Sequence, residues 1–151
     1  MAGNRGFWKV FAGLALGGIL LVVLVIAFRP VARSGAVAYA QSNLRKVSAA
    51  AERVLAEEGS FGDATRERLA LDGELEDLLL IDPDQSSNDS EVVSVLAADG
   101  SWTGSARADT GECFWIRLEG GGGSAATFLG TGTDCSAEEA SVADAGSWPE
   151  P

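Results

Sequence analysis

The chain has no histidine and only two cysteines, and no aspartate or glutamate occurs before Glu52. Each absence closes off a kind of chemistry. Without histidine there is no Ser/His/Asp or Cys/His arrangement, and the commonest general base and the commonest metal ligand are missing together. A phosphate-cradling loop is missing as well. The four glycines Gly120 to Gly123 open onto Ser124-Ala125-Ala126 with no lysine, and they read as a flexible hairpin connection. Glu57-Glu58 and Glu138-Glu139 are adjacent carboxylates of a solvated surface rather than a catalytic pair. Nothing here points to an enzyme or to a cofactor.

Charge is partitioned along the sequence. All 22 acidic residues follow residue 51, whereas six of the 11 basic residues precede it. The downstream part therefore carries five basic against 22 acidic residues, a net charge of −17. Such a domain repels nucleic acid and anionic lipid headgroups, so DNA or RNA is excluded as a partner, and the acid excess reads as a surface that keeps an exposed domain soluble.

What the sequence does have is a long apolar run. From Val10 to Phe28 there is neither a charge nor a polar side chain, and the run extends back to Phe7 with Lys9 as its one interruption. A helix over residues 7–28 would be about 33 Å long, against a hydrocarbon core of about 30 Å, and Lys9 can snorkel to the headgroups. The expectation is a single membrane span over 7–28 after a cytoplasmic leader, 1–6. A cleaved secretory signal is the competing reading, since Ala36-Val37-Ala38 and Ala38-Tyr39-Ala40 have the small-x-small form. The run is longer than a signal core, however, and Arg29, Pro30 and Arg33 stand between it and either site. Within the span, Gly13 and Gly17 form a G-x-x-x-G spacing that allows another membrane helix to approach closely.

Positive charges on the two flanks nearly balance, so they do not set the orientation. Cys113 and Cys135 do. Both lie beside turn-forming residues in a Gly- and Ser-rich stretch, as for a pair, and a pair belongs in an oxidising compartment. The domain would then be extracytoplasmic and the N-terminus cytoplasmic. Two free buried thiols remain the alternative.

After the span, Val37, Ala40, Leu44, Val47, Ala51 and Val54 recur at steps of three and four, forming one stripe of an amphipathic helix. This helix is expected over 29–59, continuing the span through Pro30 and ending at Gly59. A second helical region is expected between Thr65 and Leu80, then a loop from Asp82 to Asp89. Four strands follow, around Val92 to Leu96, Trp102 to Ala106, Cys113 to Leu118 and Ala126 to Leu129, with turn signals between them. The expected fold is α+β. A long N-terminal helix, its transmembrane half followed by its amphipathic half, packs on a small antiparallel sheet within a 60–140 domain, and 141–151 forms a tail.

This layout resembles the type IV pilins and the pseudopilins of type II secretion. Those proteins have a short basic leader ending in Gly before Phe, here Arg5-Gly6-Phe7, and a helix exit like Gly59-Ser60-Phe61. They also have a strand pair and closing loop similar to Ser105 to Ile116 and to Thr131 to Ala137. The resemblance implies a pilin-like fold, processing between Gly6 and Phe7, and assembly through the N-terminal helix with other pilin-like subunits or envelope proteins. Some pseudopilins bind calcium in a sheet loop, which makes Asp82, Asp84, Asn88 and Asp89 weak calcium candidates, although the spacing lacks the central Gly and terminal Glu of a helix-loop-helix site. One position departs from the pattern. Phe11 stands where pilins usually carry Glu, which favours a minor or tip subunit, or a permanently anchored pilin-like domain, over a major filament subunit. The alternative function is a single-pass anchored extracellular binding module with no filament role, engaging a ligand through its acidic face or through Trp-bearing loops, although Trp102, Trp115 and Trp148 read first as core residues because large aromatics dominate small cores.

Overall fold

The three-and-four spacing of apolar residues yields the helix it predicts. In this computed structural model, which describes residues 34–121 and 124–149, α1 runs over 34–58. The stripe Val37, Ala40, Leu44, Val47, Ala51 and Val54 is buried, while Arg45, Lys46, Glu52 and Arg53 stay exposed. Gly59, at φ 81°, takes the left-handed conformation that ends α1, and its N–H donates to the Leu55 carbonyl at 2.8 Å. A 3-10 turn Phe61–Asp63 follows, started by Ser60, whose hydroxyl accepts from the Gly62 N–H. Next come α2, Arg66–Leu69, and a second 3-10 turn, Gly73–Leu75.

Five strands complete the unit: β1 Leu79–Ile81, β2 Val92–Ala98, β3 Ser101–Arg107, β4 Cys113–Gly121 and β5 Ser124–Gly132. They lie in the order β1-β2-β3-β4-β5. A short helix, α3, Ala137–Ser141, packs on β2, β3 and β4. The two-residue period of each strand divides the sheet into two faces. Val93 and Val95, Trp102 and Ala106, and Phe114, Ile116 and Leu118 share one core with the α1 stripe. Each larger side chain that leaves water there contributes roughly 1.5–3 kcal/mol. Ser94, Thr103, Ser105, Cys113, Trp115 and Arg117 fall on the other face by the same register.

The expected fold needs correction on two counts. The sheet is mixed rather than antiparallel, because β1 pairs parallel with β2, with Leu80 opposite Val93. The Leu78-Leu79-Leu80-Ile81 run reads equally as buried helix or strand by periodicity, and the connection Asp82 to Glu91 is a crossover that permits parallel pairing. The second expected helix therefore shrinks to α2 and a 3-10 turn, and its last residues become β1. The second correction concerns the long helix. The helix seen is α1 alone, from residue 34, and no helix among the described residues is long and apolar enough to cross a membrane. The leader 1–6, the span 7–28, the Gly6-Phe7 junction, Pro30 and the Gly13 and Gly17 pair all lie outside the described residues.

Trp115 lies across Gly130 of β5 so closely that a Cβ there would overlap its indole carbons Cζ2 and Cε2. Gly130→Ala is expected to destabilise the domain by about 1–3 kcal/mol, because the ring is buried and has little room to move aside. Gly73→Ala, where a Cβ meets nothing within 4 Å, should stay within about 0.5 kcal/mol of the parent. Urea titration followed by tryptophan fluorescence measures both.

Candidate functional site

Cys113, the first residue of β4, is bonded to Cys135, which lies just beyond β5. The bridge fixes where the chain goes after the last strand, and a hydrogen-bonded seam continues from it. The Cys135 N–H donates to the Ser86 hydroxyl at 3.1 Å, and the Ser87 N–H donates to the Cys135 carbonyl at 3.0 Å. Buried Ser94 on β2 works in two directions. Its hydroxyl donates to the Asp82 carbonyl at 3.0 Å and accepts from the Ala137 N–H at 2.9 Å. The Glu138 N–H donates to the Pro83 carbonyl at 2.9 Å. The Asp82 to Asp89 loop, β2 and α3 are thus one connected surface.

The four calcium candidates sit in this loop, but their side chains do not converge on one point. Asp82 pairs with Arg66 at 3.0 Å. Asp89 accepts from the Glu91 N–H at 2.7 Å, closing its own turn. Asp84 faces a shallow basin with Asp134, Glu138 and Glu139, and Asn88 is exposed. Among the described residues no group of three or more Asp, Glu or Cys is arranged to hold a metal ion.

A second hollow, of about 190 Å³, lies between α1 and the α2 region, with Ala50, Val54, Leu69 and Leu71 in its lining. Its rim is made of ion pairs. Arg53 reaches Asp72 at 2.6 Å and Glu74 at 3.0 Å, while Arg68 reaches Glu57 at 3.2 Å. The hydrogen bond from Arg53, supported by the Glu74 N–H, holds the Asp72 carboxyl below the ordinary aspartate range. The lining holds no serine, cysteine or histidine to act as a nucleophile or its base.

Trp102, Trp115 and Trp148 are all buried, so their rings belong to the interior. The feature that sequence reasoning missed is what Trp148 and Arg117 do together. The Trp148 indole N–H donates to the carbonyls of Trp115, at 3.2 Å, and Gly130, at 3.0 Å, and its ring meets Phe114 edge-on at 6.1 Å. On the opposite face the Arg117 guanidinium lies 5.6 Å from the Trp115 ring centroid and 5.5 Å from that of Phe128. One of its nitrogens donates to the Ser141 and Ala143 carbonyls at 2.9 and 3.0 Å, satisfying the end of α3. The available signal was the alternation Trp115-x-Arg117-x-Glu119, which puts the last cation of the chain on one face with an aromatic and a counterion.

No family model matches the chain, and neither the curated proteins nor the solved structures contain a match.

The site yields two expectations. Replacing both cysteines by alanine should remove roughly 3 kcal/mol, the unfolded-state entropy of a closed loop whose ends are 22 residues apart, as read by thermal melts with and without reductant. The carboxyl of Asp72 should titrate below about 3.9, its ordinary value, in an NMR pH series. Because its folded value is depressed, its contribution is present above the unfolded value and is lost as the pH falls. Arg53→Gln should move the midpoint upward. The stability at stake is small, roughly 0–1 kcal/mol, because both side chains are partly exposed.

Proposed function

We propose that this chain is a membrane-tethered structural subunit of a cell-envelope filament or secretion assembly, in the manner of a minor pilin or pseudopilin. On this reading the apolar run 7–28 is the tether and the disulfide-closed domain stands outside the cytoplasm. The observation that carries it is the Cys113–Cys135 bridge, since such bonds persist in oxidising compartments. The apolar run supports it by its length. The acidic surface suits a domain that must stay dissolved at high local density beside a membrane.

The test follows the chain in its own cell. It should remain with carbonate-washed membranes, resist thiol-specific alkylation until reduced, and lose its domain to protease added outside the cytoplasmic membrane. N-terminal sequencing of that material should give either Phe7, for a processed subunit, or the intact terminus, for a permanent anchor. A mature chain beginning near Tyr39 or Gln41, or one found free in the cytoplasm with reduced thiols, would refute the proposal.

A further inference from the structure

Asn88-Asp89-Ser90 is an Asn-x-Ser triplet whose middle residue is not proline, the acceptor pattern for an N-linked sugar. The other two asparagines of the chain lack it, since Asn4 is followed by Arg5-Gly6 and Asn43 by Leu44-Arg45. The fold treats the residues around Asn88 unequally. On one side, buried Ser87 donates its N–H to the Cys135 carbonyl at 3.0 Å, and its hydroxyl accepts from the Arg107 N–H at 2.9 Å. On the other side, the Asp89 carboxylate accepts from the Glu91 N–H at 2.7 Å. Ser90 is buried, its hydroxyl donates to the Asp109 carboxylate at 3.3 Å, and its carbonyl accepts from the Asn43 amide of α1 at 2.8 Å. Asn88 is left out of this scheme. It is exposed, and its side chain takes part in no hydrogen bond among the described residues.

A carboxamide in that position adds little to the fold, and a group attached to it costs little. Asp84, Gln85 and Ser86, which precede it on the loop, are exposed as well, so a bulky polar substituent on Asn88 Nδ2 would stand in solvent. Because Ser87 and Ser90 are anchored on either side, such a group would start from a fixed point on the surface and break none of the loop's bonds. The compartment is right for the chemistry. The Cys113–Cys135 bridge belongs outside the cytoplasm, which is also where N-linked oligosaccharides are transferred to exported chains.

We propose that Asn88 is an N-glycosylation site, carrying an oligosaccharide that a membrane transferase delivers from a polyprenyl-diphosphate donor. In the transfer, a bond forms between Asn88 Nδ2 and the anomeric carbon of the first sugar. The bond from that carbon to the donor's diphosphate oxygen breaks, the lipid diphosphate leaves, and the amide releases one proton. Ser90 sets the order of events. Its hydroxyl marks the asparagine for the transferase, yet in the folded domain that hydroxyl is buried and engaged with Asp109. The sugar is therefore attached before α1 closes on this loop through Asn43. The inference rests on the extracytoplasmic placement of the domain proposed above.

The full chain is purified from membranes of its own cell, its thiols are alkylated before and after reduction, and its tryptic peptides are weighed and fragmented. The peptide from Leu69 to Arg107 contains Asn88 and no internal lysine or arginine. It should be heavier than its sequence by a sum of whole sugar residues, with fragmentation placing the added mass on Asn88. Asn88→Gln, at an exposed side chain with no bond to lose, should return the peptide to its sequence mass. Ser90→Ala should do the same with Asn88 still in place, whereas Ser90→Thr should keep the added mass. A peptide of plain sequence mass from a chain whose thiols are bridged would overturn this inference and leave the tethered reading standing. Plain mass together with free thiols would overturn both. Added mass that persists in Asn88→Gln would also overturn it, because the sugar would then sit on a hydroxyl.

Discussion

A five-stranded sheet cannot be stable with one face bare, and the Cys113–Cys135 bridge is what commits this chain to covering the second face. α1 covers the first through an ordinary amphipathic stripe of its own. For the second the described residues supply the Asp82 to Asp89 loop, α3, five residues long, and the segment after it. A helix that short has no independent stability, so its position must be imposed. The bridge holds its start next to β4, Ser94 and Pro83 hold its first turn, and Arg117 holds its last carbonyls. Trp148, buried against Phe114 with its N–H satisfied twice, then pins the chain on the α1 side of the sheet. The covering is thus a series of short anchors and not a packed layer.

The charge distribution follows a related economy. With 22 acids and few cations downstream, each arginine there is assigned to a structural point. Arg53 ties α1 to the second 3-10 turn, Arg66 ties α2 to the residue after β1, Arg107 ties β3 to the Ser87 loop, and Arg117 ties β4 to α3. Exposed pairs of this kind are individually weak. Arg117 differs because it is largely enclosed between two aromatic rings, where desolvation strengthens each contact and makes the loss of any partner expensive.

These features were unequally legible in the sequence. The α1 stripe was readable because six small or apolar residues repeat at helical spacing, and Gly59 marked its end. The four meander strands were readable because each is bounded by Gly, Asp or Thr turn residues, although β5 extends beyond the apolar core Ala126 to Leu129 on both sides. The parallel β1 was not readable: four consecutive apolar residues after Asp77 have no period, and parallel pairing depends on a partner far along the chain. The pairing of Cys113 with Cys135 was expected from their turn-rich settings. The hold of Arg117 on α3 was not readable, since it depends on carbonyls at Ser141 and Ala143 that a sequence reading assigns to a tail, although the Trp115-x-Arg117-x-Glu119 alternation marked its own face.

The tryptophans on the sheet show what the fold gives up to achieve this. The indole N–H groups of Trp102 and Trp115 are buried without a hydrogen-bond partner among the described residues, a loss of about 1–3 kcal/mol each on the usual scale. Each ring lies over a glycine, Trp102 over Gly104 of its own strand and Trp115 over Gly130 of the next. Only glycine leaves room for a large flat ring to lie along the strands instead of standing away from them. A ring in that position keeps the layer thin enough for α1 on one side and α3 on the other to reach the sheet, with Ala40 and Ala51 of α1 and Ala137 and Ala140 of α3 buried. The apolar area covered by two indoles exceeds what an unsatisfied N–H removes, so the exchange is favourable only while the glycines stay bare. The glycine positions, more than the tryptophans themselves, therefore set the spacing between the layers.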